Sequence, residues 1–180
     1  TVICDGFTVA SLTSDGTALV FATSIDDGSY DLCCLGDFEV KRKTDDDSAY
    51  AAYFQVDCSD AGTSFMVHMR VSDCAGNSGF CEVEVMVEDE QAPAMLPPAD
   101  VTVDCNADLS DLSIFGDIAS IDNCEMTIEE FTEEITNGCG QGAIVRTWVA
   151  TDNFGNTNTV SQNINIYSQT PWNANNDLIV

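Results

Sequence analysis

Apolar and polar residues alternate along much of the chain, and this pattern predicts β-strands. It is clearest at "CEVEVMVED", which places Val83, Val85 and Val87 on one face, and at "SQNINIY", which does the same for Ile164 and Ile166. Strict alternation is typical of a strand with one face in a core and the other in solvent. Other stretches rich in β-branched and aromatic residues are "ALVFATS", "AYAAYFQV", "SFMVHMRVS", "VTVDC" and "AIVRTWVAT". The sequence predicts an all-β fold.

One segment, "MTIEEFTEEIT", fits two structures. It spaces Ile128, Phe131 and Ile135 as on one face of a helix. Its threonines and its position between two turn signals favour a strand. We predict a strand.

The chain contains an internal repeat. The turn "SDCAGN" recurs as "TDNFGN" 79 positions later, and the same displacement carries Val85 and Val87 onto Ile164 and Ile166. The chain is therefore predicted to be two copies of one unit, 1–90 and 91–168, followed by an extension, 169–180. Each copy is long enough to form a small sandwich core.

Charge narrows the function classes. The chain has 31 acidic and 5 basic residues, for a net charge of −26. This charge repels nucleic acid and anionic membranes and favours divalent cations as partners. No apolar run reaches the roughly 20 residues of a membrane-spanning helix. We predict neither nucleic-acid binding nor membrane insertion.

Cysteine usage indicates the compartment. Nine cysteines occur in 180 residues, no C-x-x-C pair is present, and His68 is the one histidine. A zinc site is therefore disfavoured, and disulfides in an oxidising, extracellular setting are predicted.

Several segments resemble a known family. "PADVTVDCNADLSD", "SIDNCE", "NGCGQGAIVRTWVATDNFGN" and, in the first copy, "MRVSDCAGNSGFCEVEVMVED" are similar to HYR-like, immunoglobulin-type repeats of Bacteroidetes cell-surface adhesins. The resemblance implies two tandem immunoglobulin-like β-sandwich domains used as spacers or adhesive modules. The chain departs from the family where Asn153 and Phe154 replace a usual cysteine.

An immunoglobulin-like strand order predicts the disulfides. Six cysteines lie in the first copy and three in the second. We predict a bridge at one end of the first sandwich (Cys4–Cys58), two bridges at its other end (Cys33 and Cys34 with Cys74 and Cys81), a bridge in the second sandwich (Cys105–Cys139), and a free thiol at Cys124. A Cys74–Cys81 bridge across the hairpin remains an alternative.

Calcium is the predicted cofactor. Calcium needs six to eight oxygen ligands, and the acidic linker "VEDEQAP" is predicted to lie beside two acidic loops of the second sandwich. The predicted ligands are Glu88, Asp89, Glu90, Asp122 and Asp152. For Asp73 and Asp152 a second interpretation is open, because an Asp before a Gly-containing turn commonly accepts hydrogen bonds from the turn's own backbone.

Enzymatic motifs are missing from the sequence. No phosphate-binding glycine loop or G-x-S-x-G elbow occurs, and we interpret His68 as a surface residue of a strand. A non-enzymatic function is predicted.

The extension is predicted to mediate assembly. It ends in Leu178, Ile179 and Val180, which have strand propensity, and the first copy begins with an open edge. We expect these three residues to complete the first sheet of a neighbouring copy, which would give a head-to-tail filament. The alternative is a linker to flanking repeats.

Three functions are compatible with these features. The first is a structural module of a surface adhesin or filament. The second is a module that binds surface glycans or proteins, for which the sequence offers no concentrated aromatic platform beyond Trp148 and Trp172. The third is an accessory domain of a secreted enzyme.

Overall fold

The computed structural model describes residues 1–136 and 141–167, and these ranges form twelve β-strands and three short 3-10 helices. The all-β prediction is confirmed. The ambiguous segment is strand β10, Met126–Thr136, so its prediction as a strand is also confirmed. The chain divides into two compact units, the first ending at Gln91 and the second beginning at Ala92.

The first unit is a two-layer β-structure. Its larger sheet has the order β1-β6-β5-β3, in which β1 runs parallel to β6 and the other pairs are antiparallel. Its smaller sheet pairs β2 with β4. The strands are β1 (Phe7–Ser11), β2 (Thr17–Phe21), β3 (Leu35–Arg42), β4 (Tyr53–Asp57), β5 (Ser64–Asp73) and β6 (Ser78–Glu88).

Alternation explains how the first unit forms its core. The buried residues of β5 are Val67, Met69 and Val71, and those of β6 are Val83, Val85 and Val87. Every second residue of each strand therefore faces the smaller sheet, which contributes Val20 and Val56. His68 lies between two of these positions on β5, as predicted, and points to the outer face.

The second unit has a similar larger sheet and a different cover. Its larger sheet has the order β10-β11-β12-β8, with β8 parallel to β12, and a small sheet pairs β7 with β9. The remaining strands are β7 (Ala94–Leu96), β8 (Val101–Asp104), β9 (Ala119–Ile121), β11 (Gly142–Asp152) and β12 (Thr157–Tyr167). Its core cluster is Ile144, Ile164 and Ile166, packed by Val101, Val103, Leu109, Leu112 and Phe115.

The two units differ in the part that covers the larger sheet. Residues 43–63 separate β3 from β5 and include β4, whereas residues 137–141 alone separate β10 from β11. The interval that contains β4 in the first unit is therefore much shorter in the second. In the place that β2 holds in the first unit, its chain forms a 3-10 helix, Leu112–Phe115. A segment with no neighbouring strand must satisfy its backbone groups in other ways.

Candidate functional site

Disulfides crosslink the first unit near the β5–β6 turn. Cys4 is bonded to Cys81 and Cys34 to Cys74, with Cα–Cα distances of 6.2 and 5.9 Å. Strand register explains both pairs. Because β1 is parallel to β6 and Phe7 lies opposite Glu84, the segment before β1 runs beside the start of β6.

The register of β3 and β5 explains the second pair. Leu35 lies opposite Asp73, so the preceding and following residues, Cys34 and Cys74, meet at the end of the ladder. These two bridges lie at the same end of the unit and tie its first and third strands to the hairpin. Loop closure of this kind stabilises small secreted domains.

Several predicted pairings are wrong. Cys4 is bonded to Cys81 and not to Cys58, because the parallel β1–β6 pairing places the start of both strands at the same end. Cys33 has an exposed free thiol, as has Cys105, so Cys33 closes no bridge in the structure. Cys58 and Cys124 are both disulfide-bonded, which contradicts the free thiol predicted at Cys124. The predicted Cys74–Cys81 alternative is wrong as well.

The predicted Cys105–Cys139 bridge is wrong as well. Cys105 carries a free thiol, and Cys139 lies outside the described residues.

The second unit has a hydrogen-bonded pair where the first has a disulfide. Met126 lies opposite Asp152, which places Glu125 beside Asn153 just as Cys34 lies beside Cys74. The backbone N–H of Asn153 donates to the Glu125 carbonyl at 3.2 Å, and its side-chain amide donates to Glu125 Oε2 at 3.3 Å. The same join between two strands is therefore covalent in one unit and polar in the other.

The turn after Asp73 in the first unit and the turn after Asp152 in the second have the same geometry. Asp73 Oδ1 accepts from the backbone N–H groups of Ala75 and Asn77, both at 2.8 Å, and Oδ2 accepts from the Asn77 side chain at 2.7 Å. Gly76 has φ of 86°, a left-handed conformation that glycine adopts without a steric cost. The Asn77 side chain, followed by its backbone N–H, holds the pKa of Asp73 below its usual value.

In the second unit Asp152 repeats this arrangement. Its Oδ1 accepts from Phe154 N–H and Asn156 N–H at 2.8 Å, its Oδ2 accepts from the Asn156 amide at 2.8 Å, and Gly155 has φ of 91°. The turn interpretation of Asp73 and Asp152 is confirmed. Asp152 is buried, at 5% exposure, whereas Asp73 is half-buried.

The five predicted calcium ligands take different local positions. Glu88 ends β6 and is half-buried, Asp89 is buried with Oδ1 accepting from Gln91 N–H at 3.1 Å, and Glu90 is exposed. Asp122 follows β9 and is half-buried. Within residues 1–136 and 141–167, no three His, Cys, Asp or Glu side chains are grouped to hold a metal ion.

A buried arginine lies at the centre of the second unit. Arg146 is the one Lys or Arg of this unit and is 3% exposed. Its Nε donates to Glu130 Oε1 at 2.8 Å, and its Nη1 lies 3.0 and 2.9 Å from the carbonyl oxygens of Leu112 and Gly116. Nη1 also lies 3.1 Å from Gln162 Oε1. The guanidinium therefore supplies donors to the carbonyls of the 3-10 helix and the residue that follows it.

Gln162 extends this network on β12. It is fully buried, and its Nε2 donates to the carbonyls of Ala99 and Phe115 at 2.8 and 3.0 Å. Arg146 also stacks over Trp148, 4.6 Å from the ring centroid to Cζ. Sequence analysis missed this network, although a lone basic residue aligned with Val67 of the first copy was a visible signal.

The outer face of the first unit carries most of its basic residues. Arg70 donates to Glu39 at 2.6 Å and lies 4.1 Å from the Tyr50 ring centroid. Tyr50 also contacts Phe80, with a ring-centroid distance of 6.4 Å. Beside this aromatic pair, His68 Nε2 lies 3.0 Å from Glu82 Oε1.

Glu82 also binds Lys43 Nζ at 2.9 Å, and Lys43 followed by His68 holds the pKa of Glu82 below its usual value. Together these side chains border an open depression lined by Asp47, Tyr50, His68, Phe80, Cys81 and Glu82. Lys41 is buried beside it, at 5% exposure.

The two tryptophans of the chain offer no exposed ring in the described residues. Trp148 is 1% exposed and belongs to the core. Trp172 and the predicted interface residues Leu178, Ile179 and Val180 lie outside the described residues.

In the described part of the chain, β1 and β10 are edge strands that carry exposed apolar residues. β1 is the outermost strand of the first unit's larger sheet, and Phe7 and Val9 on it are exposed. β10 is the outermost strand of the second unit's larger sheet, and from Thr127 to Thr136 its residues are exposed on both faces. No helix in the described ranges is long and apolar enough to cross a membrane.

Comparison with known proteins finds likeness in structure alone. No family model and no curated protein matches the chain, so the resemblance to HYR-like repeats stays a prediction. Solved structures of extracellular cadherin domains superpose on most of the chain. Protocadherin gamma B7 domains 1–4 give a TM-score of 0.34 at 10% identity, covering 92% of this chain and 50% of that one.

Two further cadherins give similar values. Drosophila N-cadherin domains 1–4 give 0.34 at 11% identity, with 89% and 47% of the two chains covered. Protocadherin gamma C5 domains 1–3 give 0.36 at 11% identity, with 91% and 66% covered. This chain thus spans about half to two thirds of each of these three structures. Similarity this low does not by itself establish a common fold or function.

Proposed function

We propose that this chain is an extracellular, non-enzymatic structural module of a cell-surface adhesin or filament. The observation that carries the proposal is the disulfide pair Cys4–Cys81 and Cys34–Cys74, which ties β1 and β3 to the β5–β6 hairpin at one end of the first unit. Disulfides of this kind persist in oxidising compartments and are rare in reducing ones. The net charge of −26 keeps such a module soluble and away from anionic surfaces.

Peptide mapping under non-reducing conditions tests this proposal. The full chain is secreted into an oxidising compartment and, as a matched control, made in a reducing cytosol. We expect Cys4–Cys81 and Cys34–Cys74 peptides from the secreted protein and a clearly lower Tm for the cytosolic one. A cytosolic protein with every thiol reduced and the same Tm as the secreted protein contradicts the proposal.

Calcium is proposed to stiffen this module. The supporting observation is the acidic run Glu88–Glu90 with Asp122, whose oxygens match the preference of calcium. Asp152 is left out of this proposal, because both of its carboxylate oxygens accept hydrogen bonds within its own turn. We expect a chelator to lower the Tm and Asp89→Ala to reduce that shift, while Asp46→Ala, on an exposed loop, leaves it unchanged. Identical melting curves with and without chelator contradict calcium binding.

A second candidate function is adhesion to surface glycans or proteins. The observation that favours it is the aromatic and charged depression around Tyr50, His68 and Phe80. Phe80 is 60% exposed. A glycan array with the full chain tests this candidate, with Phe80→Ser expected to abolish any signal and Phe21→Ser, on the smaller sheet, to retain it. An array with no signal rejects glycan binding.

A further inference from the structure

Strand β10 is a long edge strand, and no other strand in residues 1–136 and 141–167 pairs with its outer edge. It has eleven residues, it is the last strand of its sheet, and Phe131 and Ile135 on it are each 55% exposed. A long exposed edge with apolar side chains is a template for pairing with another strand. The corresponding edge in the first unit is closed, because Val40 exchanges two backbone hydrogen bonds with Ala51, at 2.7 and 3.2 Å.

The first unit also shows which β10 groups face outward. Val40 lies opposite Met69, and Glu130 lies opposite Trp148, which is the repeat equivalent of Met69. Val40 turns its N–H and carbonyl away from β5, so Glu130 and every second residue of β10, including Thr132, turn theirs away from β11. These groups form the free edge.

Charge selects the strand that this edge accepts. Four glutamates line β10: Glu129, Glu130, Glu133 and Glu134. A second β10 would place like charges opposite each other, and β8 is flanked by Asp100 and carries Asp104. β3 is closed at Val40. Among the outer strands of the two larger sheets, β1 alone has no charged residue.

β1 also has the matching backbone and side chains. The Gly6 carbonyl accepts from Glu84 N–H and Leu12 N–H donates to the Glu88 carbonyl, so the even-numbered positions face β6. Phe7, Val9 and Ser11 therefore turn their backbone groups outward. Phe7 and Val9 are 54% and 44% exposed on the outer face, the face on which β10 presents Phe131 and Ile135.

We infer that β10 of one copy pairs with β1 of a second copy. The pairing joins the two larger sheets into one sheet across two molecules. Because the two edges differ, the contact is heterologous and repeats from copy to copy as an open chain. This inference rests on the proposed structural function. It gives the first unit's open edge a different partner from the predicted one, Leu178–Val180.

Two proline variants test the pairing in the full chain. Val9→Pro removes the outward N–H of β1, and Thr132→Pro removes an outward N–H of β10, while each leaves the internal ladder intact. Thr102→Pro on β8 is the matched control, because Cys105 N–H donates to the Tyr167 carbonyl and Thr102 faces the opposite, outer edge. Circular dichroism melting verifies that each variant folds.

Sedimentation velocity over a range of concentrations supplies the result. We expect the natural chain and Thr102→Pro to form growing oligomers, and each of the other variants alone to stay monomeric. An equal mixture of Val9→Pro and Thr132→Pro is expected to form a heterodimer and nothing larger, because one open β10 and one open β1 remain.

Three outcomes overturn the inference. A natural chain that stays monomeric at every concentration removes it, and oligomers of Val9→Pro alone show that β10 pairs with itself. Oligomers that persist in both variants place the contact elsewhere, including at residues 178–180. None of these outcomes bears on the disulfide mapping, so a failure here is distinguishable from a failure of the extracellular proposal.

Discussion

One pair of facing core residues is apolar in the first unit, and the equivalent pair in the second unit is polar. Val67 lies opposite Val83 on β5 and β6, and Arg146 lies opposite Gln162 on β11 and β12, with both pairs buried. The strands and their register are the same, and the covers differ. In the first unit the pair faces a second sheet. In the second unit it faces the backbone carbonyls of Leu112 and Phe115, which accept hydrogen bonds from the Arg146 and Gln162 side chains.

The comparison shows that the residue type at a core position depends on whether the covering layer presents apolar side chains or backbone carbonyls. The β2–β4 sheet pairs backbone groups between its two strands and presents apolar side chains, so valine fits beneath it. A 3-10 helix and loop leave carbonyl oxygens facing inward, and a buried carbonyl without a donor is costly. Arginine and glutamine supply those donors. The buried Arg146 and Gln162 therefore go together with the 3-10 helix and loop that cover this sheet.

Arg146→Met is expected to give the largest loss of stability among the single variants that test this comparison. The substitution keeps an apolar stem of similar length and removes the donors to Glu130, Leu112 and Gly116. We expect the second unit to lose about 3 to 5 kcal/mol of unfolding free energy, since Gln162 Oε1 and the half-buried carbonyls of Leu112 and Gly116 all lose their donor. Calorimetry that resolves the two units measures this loss.

Arg70→Met in the first unit is the matched control. Arg70 pairs with Glu39 on a half-exposed face, with side-chain exposures of 29% and 27%. Surface pairs contribute about 1 kcal/mol or less. If both variants lose the same free energy, the buried network has no special role.

Exchanging the core pairs sharpens the comparison. Arg146→Val with Gln162→Val installs the first unit's pair in the second, yet the carbonyls of Leu112 and Phe115 still lack donors. We expect this double variant to be destabilised at least as much as Arg146→Met, by about 3 kcal/mol or more. A stable double variant, measured by urea unfolding, would show that the carbonyls find other donors.

The crosslink at the strand join provides a smaller contrast. Cys34→Ser with Cys74→Ser opens a bridge between residues 40 positions apart, and we expect a loss of about 2 to 4 kcal/mol from the first unit. Conversely, Glu125→Cys with Asn153→Cys places a bridge in the second unit at the equivalent join. A rise in its Tm under oxidising conditions that dithiothreitol reverses is the expected readout, and an unchanged Tm contradicts the equivalence of the two joins.

The repeated turn gives the smallest contrast. Asp152→Asn removes one acceptor inside a buried turn, and we expect a loss of about 1 to 3 kcal/mol. Asp73→Asn alters the same bonds on a more exposed turn, so its effect is smaller. Chemical denaturation of the two variants side by side measures the difference, and equal losses would contradict a role for burial.

The Asp73 turn is also expected to make the stability of the first unit depend on pH in acid. The pKa of Asp73 is held below the ordinary value of 3.8, chiefly by the Asn77 side chain. Its stabilisation is therefore complete above that value and is lost as the pH falls through the lower folded pKa. We expect Asp73→Asn to flatten the fall in the first unit's Tm below pH 4. An unchanged acid profile contradicts this assignment.

Local patterns predicted the strands better than the crosslinks. Alternation at Val83–Val87 and the threonines of Met126–Thr136 determine the strand state directly, because each depends on neighbours along the chain. Disulfide partners depend on which strands are adjacent and in which direction. The parallel β1–β6 pair, which no local pattern encodes, brought Cys4 to Cys81.

The buried network was beyond local patterns for a related reason. An arginine between Val145 and Thr147 fits an alternating strand on either face, and its burial depends on the loop folded above it. The turn at Asp152 was predictable, since all its hydrogen bonds lie within four residues. The calcium ligands remain a prediction, because they combine residues far apart in the sequence.

The polar centre of the second unit has a consequence for how the chain avoids misfolding. Neighbouring repeats with like strands are prone to exchange them during folding. If β11 took the place of β5, Arg146 would lie beneath the apolar β2–β4 sheet, with no backbone carbonyl placed to accept its hydrogen bonds. An unpaired buried charge is strongly unfavourable. Arg146 therefore disfavours an exchange in which β11 takes the place of β5 in the first unit.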